Sequence, residues 1–312
     1  MHPMIELRNL HRSFGRTRAV DDVSFEVGRG HVFGYIGPNG AGKTTSMRIL
    51  ATLDMPTAGD AFVDGFSVVN DPDRVRKRLG FMPDYFGTYP NMDVREYLDF
   101  FGRSYGLMGA ERQRALKHVM SFTKLDGLAD KPITGLSKGM KQRLCLGRTM
   151  IHDPAVMVLD EPAAGLDPRA RIQLREMIGQ LAADGKAMLI SSHILTELAE
   201  MCDRVAIIEQ GKLLAVGTVD EIQRGRQQQQ RSIRLTVLGG ADSLGTWLRE
   251  RKDVHQIEIS DAIARFVHDG TIETDADLLR EMVQAGFRVA SFGSQEKSLE
   301  DVFMQVTEGL VQ

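Results

Sequence analysis

The sequence predicts an α/β fold followed by a smaller α+β unit, and three observations carry that prediction. The runs AVMVLD (155–160) and AMLISS (187–192) are continuously apolar, as parallel strands buried on both faces are. A glycine-rich turn, GPNGAGKTT (37–45), joins an apolar strand to a helical pattern. Beyond a polar low-complexity stretch, QRGRQQQQR (223–231), the chain turns to short strands and helices.

The elements follow in order. MIELRNL, VDDVSFEV and HVFGYIG predict three strands; the first two partly alternate and the third is more apolar. TTSMRILATL is the helix after the glycine-rich turn, and TAGDAFVDG predicts a turn and a short strand. RVRKRLG (74–80) predicts a solvated helix face rather than a nucleic-acid contact. Between about 93 and 130, DVREYLDFFGRSYGLM and AERQRALKHVMSFTKL place apolar residues at helical spacing, which predicts a helical insertion. The strand–helix rhythm resumes with AVMVLD and AMLISS, then with a strand pair around a Gln-Gly turn in RVAIIEQGKLLAVG. After the polar stretch the order is SIRLTVL (strand), SLGTWLRERK (helix), HQIEIS and AIARFVH (strands), ADLLREMVQA (helix), FRVASFG (strand) and SLEDVFMQVTE (helix). The predicted domains are residues 1–224 with a helical subdomain at about 85–150, a linker at 225–231, and an α+β domain at 232–312.

Composition narrows the function. Lys+Arg at 39 against Asp+Glu at 42 gives a net charge of −3, so the chain lacks the global basic excess of many nucleic-acid binders. No nucleic-acid partner is expected. Two lone cysteines, Cys145 and Cys202, predict a reducing compartment and no disulfide framework. The opening MHPMIELRNL lacks the basic start and apolar run of a signal peptide. The apolar runs fall far short of the roughly 20 residues a membrane span takes, so any spanning is expected of another chain.

The chemistry sits in the first unit. Gly37-Pro38-Asn39-Gly40-Ala41-Gly42-Lys43-Thr44 fits the G-x-x-x-x-G-K-[ST] phosphate loop. Its glycines let the backbone wrap phosphate oxygens, Lys43 sets a charge against the outer phosphates, and Thr44 offers a hydroxyl to Mg²⁺. The helix that begins near Lys43 adds its dipole. VMVLDEP is an apolar strand ending in Asp160 and Glu161, where phosphate-loop enzymes hold Mg²⁺ and polarise the attacking water. His193 closes the next apolar strand, and strand ends are where ligands sit in open parallel sheets. A second anion-facing helix start lies at LSKGMKQR (136–143), with Ser137 and Gly139 at its entrance.

Together these pieces resemble an ABC transporter ATPase, the cytoplasmic nucleotide-binding subunit, over residues 4–222. Gly37 to Thr45 match the Walker A loop, LSKGMKQR the signature, VMVLDEP Walker B, and AAGLDP the D-loop with Asp167 as its aspartate. His193 matches the switch histidine, and Phe14 in LHRSFG the aromatic that stacks on adenine. The resemblance implies a phosphate-loop ATPase fold, with a mixed-sheet core, an antiparallel β subdomain and a helical subdomain. It implies ATP and Mg²⁺ as cofactors and Glu161 as general base. It also implies a head-to-tail pair of cassettes, by default a homodimer, in which Ser137 and Gly139 touch ATP held by the other copy. That answers why one chain carries two phosphate-facing helix starts. A transmembrane permease would be the coupled partner, with this chain peripheral at the cytoplasmic face of the plasma (inner) membrane. The C-terminal region resembles the tail of drug, antibiotic or polysaccharide exporter ATPases. The rival function is a soluble ATPase acting on ribosomes or nucleic acid.

Three positions, in two segments, depart from the pattern. Lys138 and Met140 replace the signature's first glycine and its glutamine. Asp84, in FMPDYFGTYP, stands where the family has a glutamine, and either binds Mg²⁺ directly or has lost the contact.

Overall fold

The structure, a computed structural model, describes residues 2–85, 87, 89, 91–194, 198–218, 221–222 and 230–295. The chain divides into two compact units, Met1–Val219 and Asp220–Gln312.

Two sheets build the first unit. Strands β1 (Ile5–Phe14), β2 (Thr17–Val27), β4 (Ala58–Val63) and β5 (Phe66–Ser67) form an antiparallel sheet in the order β2-β1-β4-β5. Its alternation buries Ile5, Leu7, Val23, Phe25 and Val27, which is the signature of a half-buried sheet. The core sheet contains β3 (Val32–Ile36), β6 (Leu79–Met82), β7 (Val156–Leu159), β8 (Ala187–Ser192), β9 (Arg204–Glu209) and β10 (Lys212–Gly217). Its order is β10-β9-β3-β8-β7-β6. All neighbours run parallel except β10, which turns back on β9. Gln210 and Gly211 make that turn at φ 47° and 82°, the positive values a tight hairpin requires. Strands β3, β7 and β8 are buried along their whole length, as their unbroken apolar sequences predict. Phe25 stacks on Phe33 with ring centroids 4.8 Å apart and so ties the two sheets together.

Helices α1 (Lys43–Leu50), α2 (Pro72–Arg78) and α6 (Pro168–Ala183) accompany the sheets. The predicted insertion is helical: α3 (Val94–Ser104), α4 (Gly109–Phe122) and then α5 (Lys138–Met150). Helix α3 starts on a capping box, in which Asp93 accepts from Glu96 N and Glu96 returns the bond to Asp93 N. The basic segment 74–80 enters α2 and runs on into β6.

The second unit runs β11 (Gln230–Val237), α7 (Ala241–Arg249), β12 (Val254–Ser260), β13 (Ile263–Asp269), α8 (Ile272–Gln284) and β14 (Val289–Gln295). Its antiparallel sheet has the order β12-β13-β11-β14, a split β-α-β arrangement. Ile233, Leu235, Phe266, Leu244, Leu248, Leu278 and Met282 form its core. Strand β11 begins at Gln230, so it takes in the last two residues of the polar stretch through pairing with Asp269 and His268. Residues 223–229 and the helix expected at 298–308 lie outside the described residues.

Candidate active site

The phosphate loop leaves β3 at its carboxyl end and is pinned on two sides. A Cβ on Gly37 would meet the Ile208 carbonyl oxygen at 2.2 Å, and one on Gly42 the Ala19 carbonyl oxygen at 2.2 Å. Gly42 also sits at φ 105°, a conformation glycine alone adopts freely. Gly211 N donates to Ala41 O at 3.0 Å, which anchors the loop to the β9–β10 turn. Pro38, Asn39 and Gly40 form the exposed crest. Helix α1 starts at Gly42 without a side-chain cap. Its first N–H groups therefore keep their capacity for an anion. Thr45 follows in the first turn.

Lys43 is buried. Its Nζ donates to Gly37 O at 2.5 Å and Pro38 O at 3.2 Å, and lies 3.7 Å from Glu161 Oε1. Burial pushes its pKa down, against the pull of the Glu161 and Asp160 carboxylates. Asp160, at the end of β7, is held from both sides: Thr44 Oγ1 donates to Oδ2 at 2.8 Å and Ser191 Oγ to Oδ1 at 2.5 Å. Burial pushes the Asp160 carboxyl above its ordinary pKa; the two hydroxyl bonds oppose this, and the charges of Asp84 and Glu161 add to it. Asp84 itself is exposed and accepts from Tyr85 N at 2.7 Å.

Glu161 adopts φ 49°, a strained left-handed conformation for a non-glycine residue. Two contacts over-determine it: its N–H donates to Ser191 Oγ at 2.8 Å, and Oε2 pairs with His193 Nδ1 at 2.9 Å. Its Oε1 is buried and has no hydrogen-bond partner among the described residues. Lys43, Thr44, Asp160, Glu161 and His193, separated by 150 residues of sequence, thus form one connected network at the strand ends.

Ser137, Gly139 and Asp167 form a second group. Ser137 caps α5, its Oγ accepting from Met140 N at 3.3 Å, and Asp167 caps α6, its Oδ1 accepting from Ala170 N at 2.9 Å. A Cβ on Gly139 would stand 3.1 Å from the Ala170 Cβ, so the two helix starts abut. Lys138 Nζ lies directly over Gly165 of the D-loop segment. Among the described residues no hydrogen bond joins this group to the phosphate loop. Phe14, at the end of β1, is half-exposed.

Two residues escape sequence reasoning. Ser191 bridges Asp160 and the Glu161 backbone; its only prior signal is a hydroxyl in an otherwise apolar strand. Gln142 is buried and donates to Pro162 O at 2.6 Å, tying α5 to the segment after Glu161.

The chain is similar to known proteins in sequence and in fold. The family described as "ABC transporter" matches residues 20–164, and "ATP-binding protein DrrA1-3-like, C-terminal domain" matches residues 217–307. The "Nod factor export ATP-binding protein I" of Ralstonia nicotianae is 38% identical over 220 residues, 70% of this chain and 68% of that one. This chain belongs to the ABC transporter ATP-binding family. A relative matched end to end is the "Linearmycin resistance ATP-binding protein LnrL" of Bacillus subtilis, 29% identical over 97% of this chain and 98% of that one. A solved structure, "Structure of ATP binding subunit of ABC transporter", superposes with a TM-score of 0.65 at 31% identity, over 71% of this chain and 92% of that one. The family's reaction, binding and hydrolysis of ATP, is the one this network is suited to. Both the Walker A and Walker B residues stand in it.

Proposed function

We propose that this protein is the ATP-hydrolysing subunit of an exporter, closing as a homodimer on ATP and driving a separate transmembrane permease. The carrying observation is the single network that joins Lys43, Glu161 and His193 to the Thr44–Asp160 pair. Its relatives' names, Nod factor export and linearmycin resistance, favour export. Among the described residues no helix is long and apolar enough to cross a membrane. The proposed location is the cytoplasmic face of the inner membrane, held there by the permease. Residues 1–224 would act as the nucleotide-binding domain, with the helical subdomain at about 85–150 facing the permease. The 225–231 segment would link it to a 232–312 domain that supports dimerisation or regulation.

Each residue then has a task. Glu161 takes the proton of a water in line with the γ-phosphate. His193 holds that carboxylate through Nδ1 and leaves Nε2 for the γ-phosphate. Lys43 turns from its carbonyl contacts toward the outer phosphates, and the uncapped start of α1 receives them. The donor set around Asp160 fits a hard cation: Thr44 Oγ1 and the two Asp160 oxygens are oxygen ligands, with Asp84 a further carboxylate close enough to act on Asp160. Mg²⁺ bound there would neutralise charge on the β- and γ-phosphates. If Asp84 is a ligand, Asp84→Asn raises the half-saturating Mg²⁺ concentration about three- to tenfold, as titration of Mg²⁺-dependent ATP binding would read. An unchanged titration removes Asp84 from the metal site. Ser137, Gly139 and Asp167 serve ATP held by the second copy, with Phe14 under adenine.

The test uses Glu161→Gln. With ATP and Mg²⁺ the variant should elute as a dimer and, incubated with detergent-solubilised native membranes and cytosol, recover a polytopic membrane protein. Recovery of ribosomes or nucleic acid without a membrane partner would move the protein to the soluble class.

A further inference from the structure

Phe14 does not stand alone. The Arg12 guanidinium lies over its ring, 4.3 Å from the centroid. Arg12 and Phe14 are alternate residues of β1, so both project from one face of the β1–β2 hairpin. The same hairpin packs against the phosphate loop, where the Ala19 carbonyl fills the space beside Gly42.

The arginine is itself fixed. Its terminal nitrogen lies 2.8 Å from Asp54 Oδ1, and both side chains are mostly buried, at 23% and 19% exposure. Asp54 Oδ1 also accepts from Met55 N at 2.9 Å, which orients the carboxylate. The loop after α1 then grips the end of β1 twice more: Thr57 N donates to His11 O at 2.7 Å, and Ser13 N to Thr57 Oγ1 at 3.0 Å. Among the described residues Arg12 Nε, which is buried, makes no hydrogen bond, and the guanidinium's contacts are with the ring and with Asp54. An arginine so placed covers one face of Phe14. Phe14 as a whole remains 49% exposed, so the arginine does not seal it from a ligand.

We propose that Arg12, held by Asp54, is a positioning residue for nucleotide binding: it backs the Phe14 ring so that adenine stacks on the opposite face. The proposal rests on the reading of Phe14 as the adenine platform. Two physical effects act together. The backing removes the ring's freedom to rotate, so base binding orders less. The cation also draws on the ring's π-density from behind, a contact that lysine, lacking a planar group, reproduces poorly.

The experiment measures Kd by calorimetry for ATP and for tripolyphosphate, which lacks the base, on the full chain. Phe14→Ala should weaken ATP about tenfold or more, as loss of one base stack does. Arg12→Ala should weaken ATP about three- to tenfold, Asp54→Asn about twofold or more, and Arg12→Lys should fall between parent and Arg12→Ala. Tripolyphosphate affinity should stay within twofold in all of them. In the Phe14→Ala background, Arg12→Ala should add nothing, because its route is through the ring. Equal weakening of ATP and tripolyphosphate by Arg12→Ala would mean a direct charge effect on phosphate and overturn the proposal. Tighter ATP binding would mean that Arg12 competes with the base for the ring and would also overturn it. A weakened Phe14→Ala beside a parental Arg12→Ala would sink this inference alone. A parental Phe14→Ala would remove the adenine platform, and the inference with it.

Discussion

Two of the histidine–carboxylate pairs among the described residues are of similar length and opposite character. In the first unit His193 Nδ1 lies 2.9 Å from Glu161 Oε2, with the histidine side chain 45% exposed. In the second, His268 Nδ1 lies 2.7 Å from Asp275 Oδ1, with both side chains nearly sealed. The sealed pair is closed on its far side as well. His268 Nε2 faces Asp253 at 3.4 Å, and Arg251 in turn pairs with Asp253 at 3.0 Å and with Glu281. The open pair leaves Glu161 Oε1 without a hydrogen bond among the described residues, 3.7 Å from Lys43 Nζ. Pairing alone therefore does not mark chemistry. A carboxylate with an unmatched oxygen, held in a strained backbone beside a phosphate loop, does.

The comparison can be broken at either pair. Glu161→Gln should lower ATP turnover by about 10²–10⁴, the usual contribution of a positioned base. Phosphate release at saturating ATP reads it, and parental turnover would strip Glu161 of that role. Asp275→Ala should leave turnover alone and destabilise the second unit by about 3 kcal/mol, because it removes the buried partner of His268 Nδ1 and leaves only the longer contact to Asp253. The chain's one tryptophan, Trp247, packs in that unit against Phe287 and under Arg251, so its fluorescence in a urea titration reports this unit. A variant that slowed hydrolysis as Glu161→Gln does would erase the distinction. His193→Ala should slow turnover about 10²-fold, at the lower end for such groups, with urea midpoints near the parental value.

A third histidine sharpens the contrast. His152 stacks on Tyr105, with centroids 3.7 Å apart, and its Nε2 faces Leu79 O at 3.2 Å. Burial pushes its pKa down from 6.5 to about 4, against the pull of the Leu79 carbonyl. The unfolded chain thus binds a proton that the fold refuses between those values. Stability should fall as pH drops through that window, by about 2 kcal/mol between pH 7 and pH 5. His152→Phe keeps an aromatic ring for the stack and should abolish that part of the loss. Urea midpoints by circular dichroism at the two pH values give the comparison; an unchanged pH dependence would count against it.

Sequence spacing revealed most of the site because its parts are local. A phosphate loop needs closely spaced glycines and a lysine, and Walker B needs an apolar strand followed by two carboxylates. The alternation of β1 and β2 and the unbroken burial of β7 and β8 are likewise written into runs of a few residues. Ser191 and Gln142 were invisible because their roles exist only once β7 lies beside β8 and α5 reaches Pro162. The Arg12–Asp54 contact hides for the same reason: it joins a strand to a loop beyond the first helix. The limits of the polar stretch differ by two residues, because Gln230 and Arg231 have no apolar character in the sequence and yet pair with β13 through the backbone.

The position of β3 has a consequence for synthesis. It lies between β8 and β9, with Val32 paired to Met188 and Phe33 to Arg204. The strand that ends in the phosphate loop therefore waits for neighbours made late in its unit. At translation rates of about 5–20 residues per second that delay is on the order of ten seconds. The antiparallel sheet has all its strands by Ser67 and can form meanwhile. For the nascent chain, VFGYI is a bare apolar segment throughout that interval, which makes it a natural point of engagement for a chaperone on the ribosome.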